Sequence, residues 1–228
     1  PKNKMAKNHV ICGLDVGSSA IKTVVAAPNE ESGELETLGR VHLPVFGVRR
    51  GVVFQIESVA KSINDALSQL QSTTGYRIDD VYVNVGGSHI FSTPSHGTVI
   101  VSRADQRISD EDVHRVIQAS QAFSLPSNRE ILEVFPREFV VDGQGQIKEP
   151  REMQGLRLEV DVLALCAFSP FLRNLTSAVL SAGFQISDVT PSSLASSRAV
   201  LTPQQKELGV CLVDIGGGTT DIAVYEDC

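Results

Sequence analysis

The 228 residues contain no tryptophan, and no apolar run approaches the ~18 residues that a membrane-spanning helix needs. Also missing is a basic surface interleaved with aromatics. With a net charge of −7, nucleic acid is not an expected partner. The lysine-bearing start, Pro1 to Lys7, reads as a solvated tail, because Asp15 and nearby glycines interrupt what would be a signal peptide's apolar core. The cysteines show no metal-ligand spacing. Cys12, Cys166 and Cys211 stand in apolar, strand-like runs and read as small buried hydrophobes of a reducing cytoplasm, with Cys228 at the chain end. His42, His89, His96 and His114 lack ligand spacing too, and read as surface or loop residues. Ser88-His89 has no carboxylate close in sequence to complete a nucleophile. The absence of a Gly-x-x-x-x-Gly-Lys loop argues against a P-loop ATPase.

What the chain does have is one pattern stated twice. Val210 to Asp214 is a near-continuous apolar run that reads as a buried strand, and Ile222 to Tyr225 reads as its return. Between them Gly216, Gly217 and Gly218 let the backbone turn sharply and bring N–H groups close to an anion. Thr219 and Thr220 add hydroxyl donors, and Asp214 offers an oxygen to a hydrated Mg²⁺. A single such hairpin is equally compatible with an ordinary β-turn. Near the start, however, Val10 to Lys22 repeats the order: apolar strand, Asp15, an apolar residue, Gly17, the hydroxyl pair Ser18-Ser19, and a strand. The two aspartates are about 200 residues apart, which marks a domain-scale duplication and not a short repeat. Two Asp-x-Gly hairpins from two lobes can grip a polyphosphate and its metal from opposite sides.

The rest of the chain falls into place around these hairpins. Strands are predicted over residues 9–16, 21–27 and 35–43, with turn chemistry at residues 28–33. Ile56, Val59, Ala60, Ile63, Ala66, Leu67 and Leu70 have helical spacing, with Glu57 near the positive end and Gly75 placed to cap the other. A fourth strand covers residues 81–85. Residues 86–168 then read as an inserted β-α-β-β subdomain. It has a short strand at 98–102 and a helix opened by Ser109 to Asp112, the end of an acidic run read as solvated from Asp105. That helix carries Val113, Val116, Ile117 and Phe123 until Pro126 stops it. Strands at 131–141 and 156–168 follow, joined by a loop around Gly143, Gly145 and Pro150. A helix opened by Ser169-Pro170, using Leu172, Leu175, Val179 and Leu180, precedes a strand over 184–189 and a short helix over 192–201.

The predicted class is therefore α/β. Residues 1–85 and 169–203 form one lobe, residues 86–168 the insert, and residues 204–228 the start of a second lobe, truncated. Without the insert the order is β-β-β-α-β-α-β-α. That is the order of the ribonuclease H-like lobe repeated in the actin and Hsp70 superfamily.

Three stretches make the resemblance narrower. They are Gly47-Val48-Arg49-Arg50-Gly51; Arg129 to Phe139 with Asp142-Gly143 and Gly155 to Glu159; and Val213 to Val224. Through them the chain, from about residue 9 to 226, resembles the bacterial actin-like cell-division family FtsA. The resemblance implies ATP and Mg²⁺ as ligands. Asp15, Gly17, Ser18 and Ser19 would form the first phosphate loop, and Asp214 with Gly216, Gly217, Gly218, Thr219 and Thr220 the second. Lys22, otherwise a solvated strand-edge lysine, would reach the phosphates, and the metal would sit between Asp15 and Asp214, mostly through water. It also implies self-association into filaments, attachment of the FtsZ ring to the inner face of the cell membrane at the division site, and recruitment of later division proteins through the insert. The family's adenosine-binding half and its carboxyl-terminal membrane-binding helix are not in these residues, and the chain is expected to be a partial sequence.

One departure bears on chemistry. Hydrolysing relatives place a glutamate before the proline that opens the helix after the fifth strand, whereas this chain has Thr190-Pro191. Threonine cannot replace a carboxylate in positioning water. ATP is thus expected as a conformational ligand, with at most slow hydrolysis and no catalytic residue assigned. A sugar or small-metabolite kinase of the same superfold is the alternative. It would need a catalytic aspartate and a substrate pocket, where this chain has an insert poor in convergent polar groups.

Overall fold

Period-two alternation builds the first sheet. In β1 (Ile11–Val16) the buried residues are Cys12, Leu14 and Val16, and in β2 (Ala20–Pro28) they include Ile21, Thr23 and Val25. The computed structural model describes residues 10–29, 33–123 and 125–226; His9 and Cys228 lie outside them. β3 (Leu35–Pro44) completes an antiparallel meander with β1 and β2. A small hairpin follows, β4 (Val48–Arg49) with β5 (Val52–Val53). The expected helix is α1 (Ile56–Thr74). It buries Val59, Ala60, Ile63, Ala66, Leu67 and Leu70, and stops where Gly75 turns left-handed and donates its N–H to the Gln71 carbonyl. β6 (Asp80–Val85) runs parallel to β1.

The described residues form two units, one up to His89 and again from Pro170, the other from Ile90 to Ser169. In the first unit, α3 (Ser169–Ser181), whose opening Ser169 the division leaves in the second unit, leads into β11 (Gln185–Pro191), parallel to β6. The sheet order is β11-β6-β1-β2-β3. Because β1, β6 and β11 are parallel, their carboxyl ends share one edge of the sheet, where open α/β sheets place ligands. Leu180 of α3 is exposed, contrary to its expected core role. The inward positions are Leu172, Leu175, Ala178 and Val179.

After α4 (Ser192–Val200) comes an unanticipated short helix, α5 (Pro203–Leu208). Its signals were local and complete: Thr202 caps, Pro203 occupies the first turn, and Gln205 closes the capping box. β12 (Val210–Ile215) and β13 (Thr220–Tyr225) then pair antiparallel. This hairpin corrects two readings. Only alternate residues face α4, while Cys211, Val213, Ile215, Ile222 and Val224 are exposed, so β12 is not a buried strand and Cys211 is not a buried hydrophobe. His89 departs in the other direction. It is buried, edge-on to Phe171 at 5.5 Å, and neither ring nitrogen has a hydrogen-bond partner among the described residues. Burial lowers its pKa, and the charge of Asp221 acts in the opposite direction.

The second unit is an antiparallel sheet, β7-β10-β8-β9, under one helix. β7 spans Ile90–Ile100, much longer than the stretch expected at 98–102. Proline and glycine disfavour strand interiors, yet Pro94 and Gly97 are accommodated because β7 lies at the sheet edge, where a missing N–H is tolerated. Gly97 is there for clearance: a Cβ would lie 2.4 Å from the Val116 carbonyl oxygen. That carbonyl belongs to α2 (Asp110–Ser120), which ends before Phe123. β8 (Arg129–Val141) and β10 (Arg157–Phe168) are the expected long strands, and β9 (Gln144–Ile147) adds a hairpin within the predicted loop. Val113 and Val116 of α2 pack with Leu158, Val160 and Val162 of β10.

Asp112 is no part of a solvated helix entry. It is fully buried, and its carboxylate accepts from the Ser109 N–H (3.0 Å) and hydroxyl, the Ser102 N–H (3.0 Å) and hydroxyl, and Arg115. Burial alone would push its pKa up. The bonds from Ser109, Arg115 and Ser102 outweigh that and hold it well below the usual carboxylate range.

Candidate phosphate-binding site

The two hairpins are built to the same register. In β1–β2, Asp15 stands opposite Lys22, and Gly17 donates its N–H to the Ala20 carbonyl at 3.1 Å. In β12–β13, Asp214 stands opposite Asp221, and Gly216 donates to the Thr219 carbonyl at 2.9 Å. The two turns approach each other without side chains between them on the glycine side. A Cβ on Gly217 would lie 2.8 Å from Ser19 Oγ, and one on Gly218 would lie 2.8 Å from Ser18 Oγ. Any larger residue at either position would force the turns apart.

Between the turns is a polar cleft of about 90 Å³. Asp15, Gly17, Ser18, Ser19, Lys22, Asp214, Gly216, Gly217 and Thr219 all line it. Two expected residues do not: Gly218 packs on Ser18, and Thr220 is exposed at the start of β13. Lys22 turns to Asp15, with Nζ 2.9 Å from Oδ2. That hydrogen bond, then the charge of Asp15 and more weakly of Asp214, raises its pKa. Asp214 Oδ2 accepts from the Ser196 hydroxyl at 2.8 Å.

The sequence reading missed Asn84, which organises the cleft. Its Nδ2 donates to Asp15 Oδ1 (2.8 Å) and Ser192 Oγ (3.0 Å), and its Oδ1 accepts from the Val16 N–H (3.2 Å). Asp221, Gly51, Gly86 and Ser192 also line the cleft. Asp221 accepts from the Gly87 N–H at 3.4 Å, and Gly51 donates to Ser18 Oγ at 3.0 Å. Asn84 and Gly86 were legible in one respect, standing at the end of the predicted fourth strand. Ser192 gave no local signal, since tertiary packing alone brings it in, whereas Asp221 follows the second loop directly.

Hydroxyls, carboxylates, one lysine and close-packed glycines are suited to a phosphate chain with a hydrated divalent cation. Among the described residues no three His, Cys, Asp or Glu side chains cluster as metal ligands. A cation here would keep most of its water. The cleft is also far below the roughly 300–1,000 Å³ of a whole small-molecule site, so it fits phosphates and not a nucleoside.

This meander-plus-parallel sheet with its paired hairpins defines a lobe of the actin-like ATPase fold carrying an inserted subdomain. Two solved structures share that fold. The PilM-PilN type IV pilus biogenesis complex matches with a TM-score of 0.64 at 16% identity, covering 94% of this chain and 57% of that one. The ethanolamine utilization protein EutJ from Carboxydothermus hydrogenoformans matches with a TM-score of 0.50 at 13% identity, covering 98% of this chain and 49% of that one. Residues 87–166 match the family described as the SHS2 domain inserted in FtsA. The cell division protein FtsA of Pseudomonas aeruginosa is 38% identical over 96% of this chain and 52% of its own length, and that of Borreliella burgdorferi 42% identical over 98% and 54%. The chain belongs to the FtsA family, and it spans about half the length of the curated relatives it matches.

Proposed function

We propose that the chain supplies the phosphate-gripping part of an actin-like nucleotide site in a bacterial cell-division protein, with Mg-ATP as ligand. The observation that supports this best is the pair of register-matched hairpins meeting serine against glycine across one polar cleft. The hydroxyls and turn N–H groups of Ser18, Ser19 and Thr219 hold the phosphates. Asp15 and Asp214 hold the cation through its water, and Asn84 fixes the Asp15 rotamer. When bound, the cation supplies charge neutralisation between phosphates. With Thr190 in place of a carboxylate, the nucleotide sets conformation more than it is consumed.

In this reading the protein acts at the division site on the inner face of the membrane. It self-associates, joins the FtsZ ring to that membrane, and meets later division proteins through residues 90–169. No helix among the described residues is long and apolar enough to cross a membrane.

Asp214→Ala, in a chain extended to the length of its relatives, tests the assignment. Mg-ATP affinity should fall about tenfold or more, ~1.4 kcal/mol, while metal-free ADP affinity changes little. Equal losses with and without Mg²⁺ would remove Asp214 from the cation's shell.

A further inference from the structure

We propose that the turn joining β4 to β5 forms a second anion site, distinct from the phosphate cleft, that takes a small organic phosphate or carboxylate on an aromatic body. Arg49, Arg50, Val52, Phe54, Ser88 and Phe171 line an open surface depression of about 380 Å³. That volume lies in the roughly 300–1,000 Å³ range of small-molecule sites, unlike the phosphate cleft. Neither Arg49 nor Arg50 forms an ion pair among the described residues. Two uncompensated guanidiniums on a chain of net charge −7 make a local positive spot, and their planar forks match phosphate and carboxylate oxygens. Phe54 and Phe171 offer apolar ring surface beside them, and Ser88 a hydroxyl.

The backbone points the same way. Arg50 and Gly51 have φ of 50° and 75°, the two-residue turn geometry that favours Asn-Gly. Gly51 is required there, because a Cβ would lie 2.3 Å from the Gly86 carbonyl oxygen. The left-handed conformation at position 50 disfavours residues with a Cβ, asparagine least among them because its side chain bonds locally. Behind the Phe171 ring stands buried His89, both nitrogens unpartnered. The site also shares a backbone with the phosphate cleft, since Gly51 donates to Ser18 Oγ at 3.0 Å.

The test is saturation-transfer NMR of phenyl phosphate on the chain, with inorganic phosphate and phenol as half-ligands. Phenyl phosphate should bind saturably and about tenfold more tightly than either half, and binding should weaken with added salt. Arg50→Asn suits the turn better than the native residue, so melting should stay put or rise while phenyl phosphate binding falls about tenfold. Phe54→Ala should weaken phenyl phosphate and leave inorganic phosphate unchanged. Lys22→Gln, in the phosphate cleft, should leave phenyl phosphate binding as it is. Full binding by Arg50→Asn, loss of binding in Lys22→Gln, or inorganic phosphate matching phenyl phosphate would each overturn the proposal.

Discussion

Replacing Asp112 with asparagine removes one charge and no volume, from a side chain that water does not reach. The amide oxygen can still accept from Ser102 and Arg115. Its NH₂ group, though, now faces the Ser109 N–H, a donor against a donor, where a 3.0 Å hydrogen bond stood. One orphaned buried donor costs about 1–3 kcal/mol, and the charge-assisted contact from Arg115 becomes a neutral one. The expected loss is ~2–3 kcal/mol at pH 7, large for a single change. Urea titration followed by far-UV circular dichroism measures it, and calorimetry shows whether residues 90–169 melt separately. The pH dependence has a definite sign. An unfolded aspartate titrates near pH ~3.9, and the native one lies lower because Ser109, Arg115 and Ser102 stabilise its charge. Its contribution is therefore complete above about pH 5 and declines as pH falls through the unfolded and then the native value. Asparagine does not titrate, so the gap between wild type and variant should close from about pH 5 downward. A gap under ~0.5 kcal/mol at pH 7, or one that widens in acid, would refute the argument.

Gly97→Ala should destabilise residues 90–169 by about 1–3 kcal/mol, since the new methyl meets the backbone of α2 at Val116 and Ser120; an unchanged urea midpoint would refute this. Isothermal titration of residues 1–228 with Mg-ATP should give a dissociation constant no tighter than about 1 mM, roughly −4 kcal/mol, because a cleft of about 90 Å³ has room for phosphates and none for a nucleoside. A sub-micromolar value would mean that the two hairpins suffice. In a chain extended to its relatives' length, Thr190→Glu should not lower the rate of ATP hydrolysis measured by phosphate release. A lower rate would make the threonine itself catalytic.

How much of this could be read from residues alone depended on whether the information was local. The α1 helix was legible because six buried side chains recur at i, i+3 and i+4 and a glycine ends the run. The hairpins were legible because the same residue order occurs twice. β7 was not, since its Pro94 and Gly97 are acceptable only at an edge and under a helix, facts of tertiary position. Asp112 misled for a related reason. Four acidic residues near a helix start suggest solvent, and only the fold buries one of them and brings Ser102 to it. The cleft divides in the same way: its loops were visible in the chain, while Asn84 and Ser192 arrive from two other segments.

The matched register of the hairpins hides one inequality. The position facing the aspartate is Lys22 in the first and Asp221 in the second. Two arms alike in backbone thus carry opposite charge at the same station, and the cradle has a head and a tail. A chain of phosphates lying between them, its charge rising toward the free end, would meet a cation on one side and an anion on the other. It would be favoured in one direction and repelled in the reverse. Exchanging the two residues would keep every backbone hydrogen bond of both hairpins and turn that preference around.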